Sequence, residues 1–419
     1  MLKKIVTSLV VVSSVALIQL PTASYAVGAE AKAEKKKRPT QLVGPSVGKK
    51  VGKAFELYSA DDIDGALVIL LDIDASKEYD KAYVSRFVAV MYATKGDAVK
   101  AIDYLKQAVG PDILNEVDHS EALKLLADLQ MQEKQYKEAL KNYYSWMEFT
   151  GKSEGNTWVK IGQAHMELKQ LDKVIVPADK AIVAYGDKQN QNPYVLKIQS
   201  YYERKMYPEA VEVLETVLQL FPENKTWWTQ LGMFYLLVED YQKGLAVLEL
   251  AYKQGFLDKE SQIKTLASLY SSNDIPFKAA QLLEKHIESG LVKRDDKNLF
   301  SLANAYHAAQ HIKTAAKYYG EIAKMTNASK HYRKQGMLLK QDEQFKPAIV
   351  ALKKAIELGE KDAGRIHMSI AESHFYLEEY KQAYAAIQKA MKDPKARRSA
   401  RSWVSFIKDT AQRKGKKYI

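Results

Sequence analysis

The sequence predicts an all-α protein, an α-solenoid of about ten stacked helix pairs with a C-terminal capping helix. Three observations carry this. First, a small residue recurs on a nearly fixed beat: Ala66, Ala101, Ala139, Val174, Ala210, Gly244, Ala279, Ala315, Ala348 and Ala383, at spacings of 35, 38, 35, 36, 34, 35, 36, 33 and 35 residues. A period in this range is the mark of stacked supersecondary units. Second, apolar residues inside each period fall on one helix face, break, and resume. Third, proline and glycine are scarce, at 11 and 20 of 419 residues, and no run alternates apolar and polar residues as a strand would. Length alone would suggest two or three globular domains, but the beat replaces that expectation with one elongated array.

The clearest unit runs from Trp228 to Ala251. Trp228, Leu231, Gly232 and Tyr235 stand at i, i+3, i+4 and i+7, one helix face. After Glu239 and Asp240, the residues Tyr241, Gly244, Leu248 and Ala251 repeat that spacing. One unit is therefore helix, short turn, helix, with Gly232 and Gly244 allowing close approach. Trp158, Ile161 and Gly162 open another copy, and Tyr201, Tyr207, Ala210, Leu214, Val217 and Pro222 form most of a third. Further copies include Tyr270 with Ala279, Tyr306 with Ala315, Phe345 with Ala348, and Tyr380 with Ala383. The unit around Ala66 is diverged, as expected of an end unit with a single neighbour. Taken together, these residues resemble the tetratricopeptide repeat over residues 45–391. The aromatic and small residues at the signature positions are expected in the core, since such packing interleaves large and small side chains.

The ends read differently. Lys3 and Lys4 precede an apolar run over residues 5–20, followed by Pro21 and the small-residue site Ser24, Tyr25, Ala26. That order is expected of a signal peptide over 1–26, cleaved after Ala26, with an uncleaved N-terminal anchor as the competing reading, and implies a periplasmic protein, secretion beyond the periplasm being the alternative. Residues 27–44 are rich in Ala, Glu and Lys, with a basic cluster at Lys35, Lys36, Lys37 and Arg38, and are expected to form a disordered tether. Residues 392–419 continue as a basic capping helix and tail. Trp403, Val404 and Ile407 mark its apolar face, while Arg397, Arg398 and Arg401 form a basic docking patch. There is no cysteine, which excludes disulfides and a lipid anchor on an N-terminal Cys.

The net charge of +12 suits contact with anionic lipid, cell wall or acidic proteins. No groove-reading helix or base-stacking motif points to nucleic acid. The stretch Gly44-Pro45-Ser46-Val47-Gly48-Lys49-Lys50 resembles a phosphate loop, but one residue is missing between the glycines and Lys50 replaces the hydroxyl. It is expected to lead into the first helix. His307 and His311 have zinc-helix spacing without the catalytic Glu, and His367 and His374 lack a third ligand nearby. No nucleophile setting is present. The expectation is a protein without enzymatic activity, cofactor, metal or small-molecule substrate.

The tetratricopeptide resemblance implies a concave binding face lined by the first helix of each pair. By that resemblance, Lys264 and Ser268, Phe300 and Asn304, and Arg333 and Met337 point into the groove, with Val195, Gln199 and Tyr202 further back. Some proteins of this kind hold a peptide's terminal carboxylate with Lys and Asn at such places. Lys264, Asn304 and Arg333 are similar in type, although the full clamp is not reproduced. Phe300 and Tyr202 would serve as aromatic anchors. The signal peptide, basic tether, first unit (Lys53 to Tyr58, then Asp64 to Leu67) and ten-unit layout also resemble the periplasmic repeat proteins that accompany TonB–ExbB–ExbD systems in Gram-negative bacteria. That likeness implies an accessory role in energy-coupled transport, with TonB, ExbB or ExbD as partners. The alternative is a cell-envelope assembly factor binding peptidoglycan, anionic lipid or a secretion complex.

Overall fold

A computed structural model describes residues 38–419. The expected signal peptide and most of the expected tether lie outside the described residues. Among the described residues there are 21 α-helices and no strand. They form an all-α solenoid of ten helix pairs followed by one further helix.

The first pairs are α1 (Pro45–Ser59) with α2 (Ile63–Leu71), α3 (Glu78–Thr94) with α4 (Ala98–Val109), and α5 (Glu116–Gln132) with α6 (Tyr136–Thr150). Next come α7 (Gly155–Glu167) with α8 (Ile175–Tyr185), α9 (Asn192–Glu203) with α10 (Tyr207–Leu220), and α11 (Lys225–Leu237) with α12 (Tyr241–Lys253). The series continues through α13 (Glu260–Ser272) with α14 (Pro276–Glu288), and α15 (Asp296–Ala308) with α16 (Ile312–Thr326). It ends with α17 (Ser329–Gln341) and α18 (Phe345–Glu357), then α19 (Ala363–Tyr376) and α20 (Tyr380–Met391), and the last helix α21 (Arg397–Arg413).

The chain divides into two compact units, one ending at Leu126 and one beginning at Ala127. The first has a core of Val47, Val51, Leu67, Leu70, Val88 and Met91. In the second, Leu248, Ile263, Leu266, Leu299, Leu302 and Ile322 belong to the largest cluster.

The beat residue has one structural meaning. Ala66, Ala101, Ala139, Ala210, Gly244, Ala279, Ala315, Ala348 and Ala383 each hold the fourth position of a second helix. Every one of these alanines is fully buried. The position faces the preceding helix where the two backbones lie closest. Gly232 and Gly336 add to that approach from the first helix: a Cβ on Gly232 would lie 2.5 Å from Leu248, and one on Gly336 2.6 Å from Leu352. The remaining beat residue, Val174, closes a 3-10 turn (Leu171–Val174) that precedes α8. Pro177 explains it, because its missing N–H removes the bond that would reach back to Lys173.

Each helix pair is joined by the same tight turn. The residue five before the beat has a left-handed backbone in all ten: Asp61, Gly96, Lys134, Lys169, Lys205, Glu239, Asp274, Gln310, Glu343 and Glu378. The next residue then donates its N–H back across the turn, as in Asp240 to Tyr235 O at 2.9 Å and His311 to Tyr306 O at 2.9 Å. This satisfies a carbonyl at the end of the first helix. The same residue caps the second helix. Where it is aspartate its carboxylate also accepts from the helix, as Asp62 does from Gly65, Asp97 from Lys100 and Asp240 from Lys243.

Residues 38–44, the last part of the stretch expected to be a tether, carry specific bonds despite having no helix or strand. Arg38 donates to Asp112 O at 2.8 Å and Leu114 O at 3.1 Å, and Gln41 N to Asn115 Oδ1 at 2.9 Å. The phosphate-loop-like stretch is helical from Pro45 onward. Lys50 is spent on Asp72, meeting its carboxylate at 2.8 Å.

Candidate functional site

The first helices of successive pairs bring part of the predicted groove set together. A cleft of about 490 Å³ opens between α13 and α15. Lys264 and Ser268 line it from one side and Asn304 from the other, with Leu283 of α14 among its lining residues. Ser271 and Ser301, absent from the sequence-derived set, complete it. They sit one turn from the predicted positions, so extending the same helical spacing would have found them.

Second contacts orient these groups. The Tyr319 hydroxyl donates to Asn304 Oδ1 at 2.5 Å. Burial raises the Tyr319 pKa, so the phenol stays a donor and the Asn304 amide nitrogen is left to face a ligand. Lys264 Nζ lies 3.6 Å from Glu260. Glu260 also accepts from Asn298 at 2.9 Å, so the lysine's counter-charge is shared. An exposed pair of this kind is worth about 0–1 kcal/mol, and Lys264 is free to exchange it for an anionic group. Phe300 is half-exposed beside the cleft. Its ring meets Tyr319 edge-on at 5.9 Å and His331 at 6.1 Å. Burial lowers the pKa of both His307 and His331, so at neutral pH the cationic character here belongs to lysine.

Arg333 is held elsewhere. Its guanidinium reaches Asp362 at 3.1 Å and Glu360 at 3.5 Å, on the turn that leads into α19. The cation predicted for the groove thus ties one repeat to the next. The resemblance put it in the groove, but the two carboxylates come from nearly thirty residues away and carry no local signal. Gln199 lines a separate cleft of about 430 Å³, together with Gln163, Tyr136 and Val195, and donates to Glu203 at 3.3 Å. Tyr202 is exposed, with ring contacts to Tyr207 at 6.0 Å and Phe234 at 5.7 Å.

The basic docking patch lies at the start of α21. Arg398 and Arg401 are exposed, and Arg397 Nε donates to Met391 O at 3.1 Å. The buried face of that helix is Ala400, Ile407 and Ala411. Trp403 and Phe406 flank it, both within ring contact of Phe375 at 5.6 and 5.0 Å.

His307 and His311 have separate surroundings. His311 caps α16 with its ring stacked on Phe277 at 4.6 Å. Among the described residues no group of three or more potential ligands could hold a metal ion, and no helix is long and apolar enough to cross a membrane.

No family model matches the chain. A TPR repeat-containing protein of Methanocaldococcus jannaschii is 22% identical over 376 residues, covering 74% of this chain and 63% of that protein's length. The general transcriptional corepressor ssn6 of Schizosaccharomyces pombe is 31% identical over 103 residues, 23% of this chain and 8% of its own. The chain thus spans less than two thirds of these relatives. Among solved structures, a tetratricopeptide repeat protein from Parabacteroides merdae has a TM-score of 0.37 at 12% identity, covering 62% of this chain and 99% of that one. YrrB, described as a TPR protein with an unusual peptide-binding site, has a TM-score of 0.33 at 14% identity, covering 44% and 93%.

Proposed function

Because this chain is an array of tetratricopeptide-type helix pairs with relatives of the same kind, and such arrays serve as protein-interaction scaffolds, we propose that it binds an extended segment of a partner protein along its first-helix face. The observation that carries this is the meeting of Lys264 and Asn304, from successive first helices, in one open cleft. Their chemistry suits an acidic or terminal carboxylate of the partner, with Phe300 beside it for an apolar side chain. The reading is of an exported, periplasmic, non-catalytic scaffold. Its finer form, an accessory to a TonB–ExbB–ExbD transport system, rests on the resemblance of the N-terminal segment and repeat layout.

The test is in-cell crosslinking followed by purification of the tagged full chain. TonB, ExbB or ExbD should co-purify with the wild type and be diminished in a Lys264→Ala, Asn304→Ala variant. Complexes lacking all three components reject the transport assignment. A partner captured equally by wild type and variant rejects the cleft.

A second reading is favoured by the exposed Arg398 and Arg401. On this reading the protein is an envelope assembly factor held to anionic lipid or cell wall. Sedimentation with anionic vesicles that is abolished by neutralising Arg397, Arg398 and Arg401 supports it.

A further inference from the structure

The repeats provide internal controls for one another, and the last one combines imidazole and small side chains at three positions where most earlier units carry large apolar or aromatic ones. His367 occupies the place held by Trp158, Tyr194, Trp228, Ile263, Leu299 and Tyr332 in earlier units. His374 stands where Tyr201, Tyr235, Tyr270 and Tyr306 stand, and where the unit of α7 and α8 also has a histidine, His165, bonded to Gln170 at 2.9 Å. Ala386 takes the position of Val213, Val247, Leu282 and Tyr318, a position that is also alanine (Ala351) in the preceding unit. The last unit is the one in which two imidazoles and a methyl group occupy these three places together.

The result is a cleft of about 370 Å³ between α18, α19 and α20, on the second-helix side of the array. Ile356 and Ile370 supply its apolar surface, and Lys353 and Lys389 stand along it with exposed side chains. His374 is 9% exposed, and its Nδ1 lies 2.6 Å from Glu379, which fixes the ring. His367 is half-buried, and burial followed by the charge of Lys389 lowers its pKa. The acidic residue on the lining, Glu357, is already paired with Lys354 at 3.1 Å. Lys353 and Lys389 have no carboxylate within salt-bridge distance among the described residues. A volume in this range is enough for a small ligand, and a hollowed, cation-flanked, partly apolar recess matches an anion on an apolar stem.

We propose that this cleft is a second binding site, distinct from the first-helix groove, for an apolar group bearing a carboxylate. The carboxylate lies between the Lys353 and Lys389 ammonium groups, and the stem rests on Ile356 and Ile370 in the space opened by Ala386. The same chemistry is offered by a free organic acid and by the C-terminal residue of a peptide. The proposal does not rest on the groove reading, since no residue is shared.

The experiment is methyl NMR of the full chain with labelled isoleucines. The probes are N-acetyl-leucine, N-acetyl-leucinamide and a pentapeptide ending in leucine with a free carboxylate. N-acetyl-leucine should shift the Ile356 and Ile370 methyl signals saturably in the millimolar range expected of so small a ligand, and the amide should not. Lys389→Met should weaken binding about tenfold, the loss of one charge-assisted contact. Ala386→Leu, which restores the residue type of Leu282, should abolish binding while leaving the fold intact. Shifts from both acid and peptide assign the site to peptide termini, and shifts from the acid alone assign it to a free acid. Equal response to acid and amide, no saturable shift with either acid, or unchanged binding in Ala386→Leu overturns the proposal.

Discussion

The ten left-handed turns make a prediction whose sign can be set in both directions. Nine carry a side chain at the left-handed position, as in Lys205 (φ 59°), Glu239 (φ 61°) and Gln310 (φ 61°), whereas the turn before Ala101 has Gly96 (φ 81°). A left-handed backbone costs an L residue about 1–2 kcal/mol. Glycine removes that strain but adds about 0.4–1 kcal/mol of freedom to the unfolded chain. The difference favours glycine by about 0.5–1 kcal/mol at each turn. Lys205→Gly should therefore stabilise the protein by that amount, and Lys205→Gly, Glu239→Gly and Gln310→Gly together by about 1.5–3 kcal/mol, since distant sites add. Gly96→Ala should lose about as much as one turn gains. A Cβ there meets nothing within 4 Å, so its cost is backbone strain alone. The assay is urea denaturation followed by circular dichroism, with midpoints compared at constant slope. Hydrogen exchange of the amides flanking each turn localises the effect. A fall in midpoint for Lys205→Gly, or no loss for Gly96→Ala, would show that unfolded-chain entropy outweighs turn strain and refute the reasoning.

Other outcomes follow from the packing and the charges. Gly232→Ala should destabilise by about 1–3 kcal/mol through overpacking against Leu248, more than its helix-propensity gain of about 1 kcal/mol. Leu248→Val in the same chain should recover part of the loss in midpoint. His119, His286, His307, His331 and His367 all have pKa values lowered first by burial. The unfolded chain therefore takes up more protons as pH falls through about 6.5. Stability present above that pH should be lost toward pH 5.5, with a lower urea midpoint, and His286→Gln with His331→Gln should flatten the change; a midpoint that rises or stays level contradicts it. Arg333→Met should lower the midpoint by removing the tie to Glu360 and Asp362. It should leave partner capture unchanged, in contrast to Lys264→Ala, as a pull-down would show.

The helix pairs were legible because a buried position repeated in every unit leaves a periodic trace. Ala315 and Ala348 are small for the same local reason, and the sequence repeats that reason nine times. The terminal helix was legible too, from the spacing of Trp403, Val404 and Ile407. Lys264 and Asn304 were placed by the resemblance to the tetratricopeptide repeat, and their meeting needed only that neighbouring units stack in phase. The left-handed turns left a fainter trace. Lys134, Lys205, Glu239 and Gln310 have no glycine to announce them, and their conformation is imposed by the two helices they join.

By itself, then, the amino-acid order determined that the chain folds as helix pairs, where each turn falls, and that the beat alanines are buried, because these depend on contacts within a few turns; the signature aromatic Tyr241, expected in the core, is exposed. Only the tertiary structure decided which charges are spent and where space remains. Arg333 is taken up by carboxylates from the next unit. The hollow beside His367 exists because Ala386 comes to lie next to it from another helix. Both outcomes depend on side chains distant in sequence whose separation is set by the stacking of whole helices, and no local pattern encodes that.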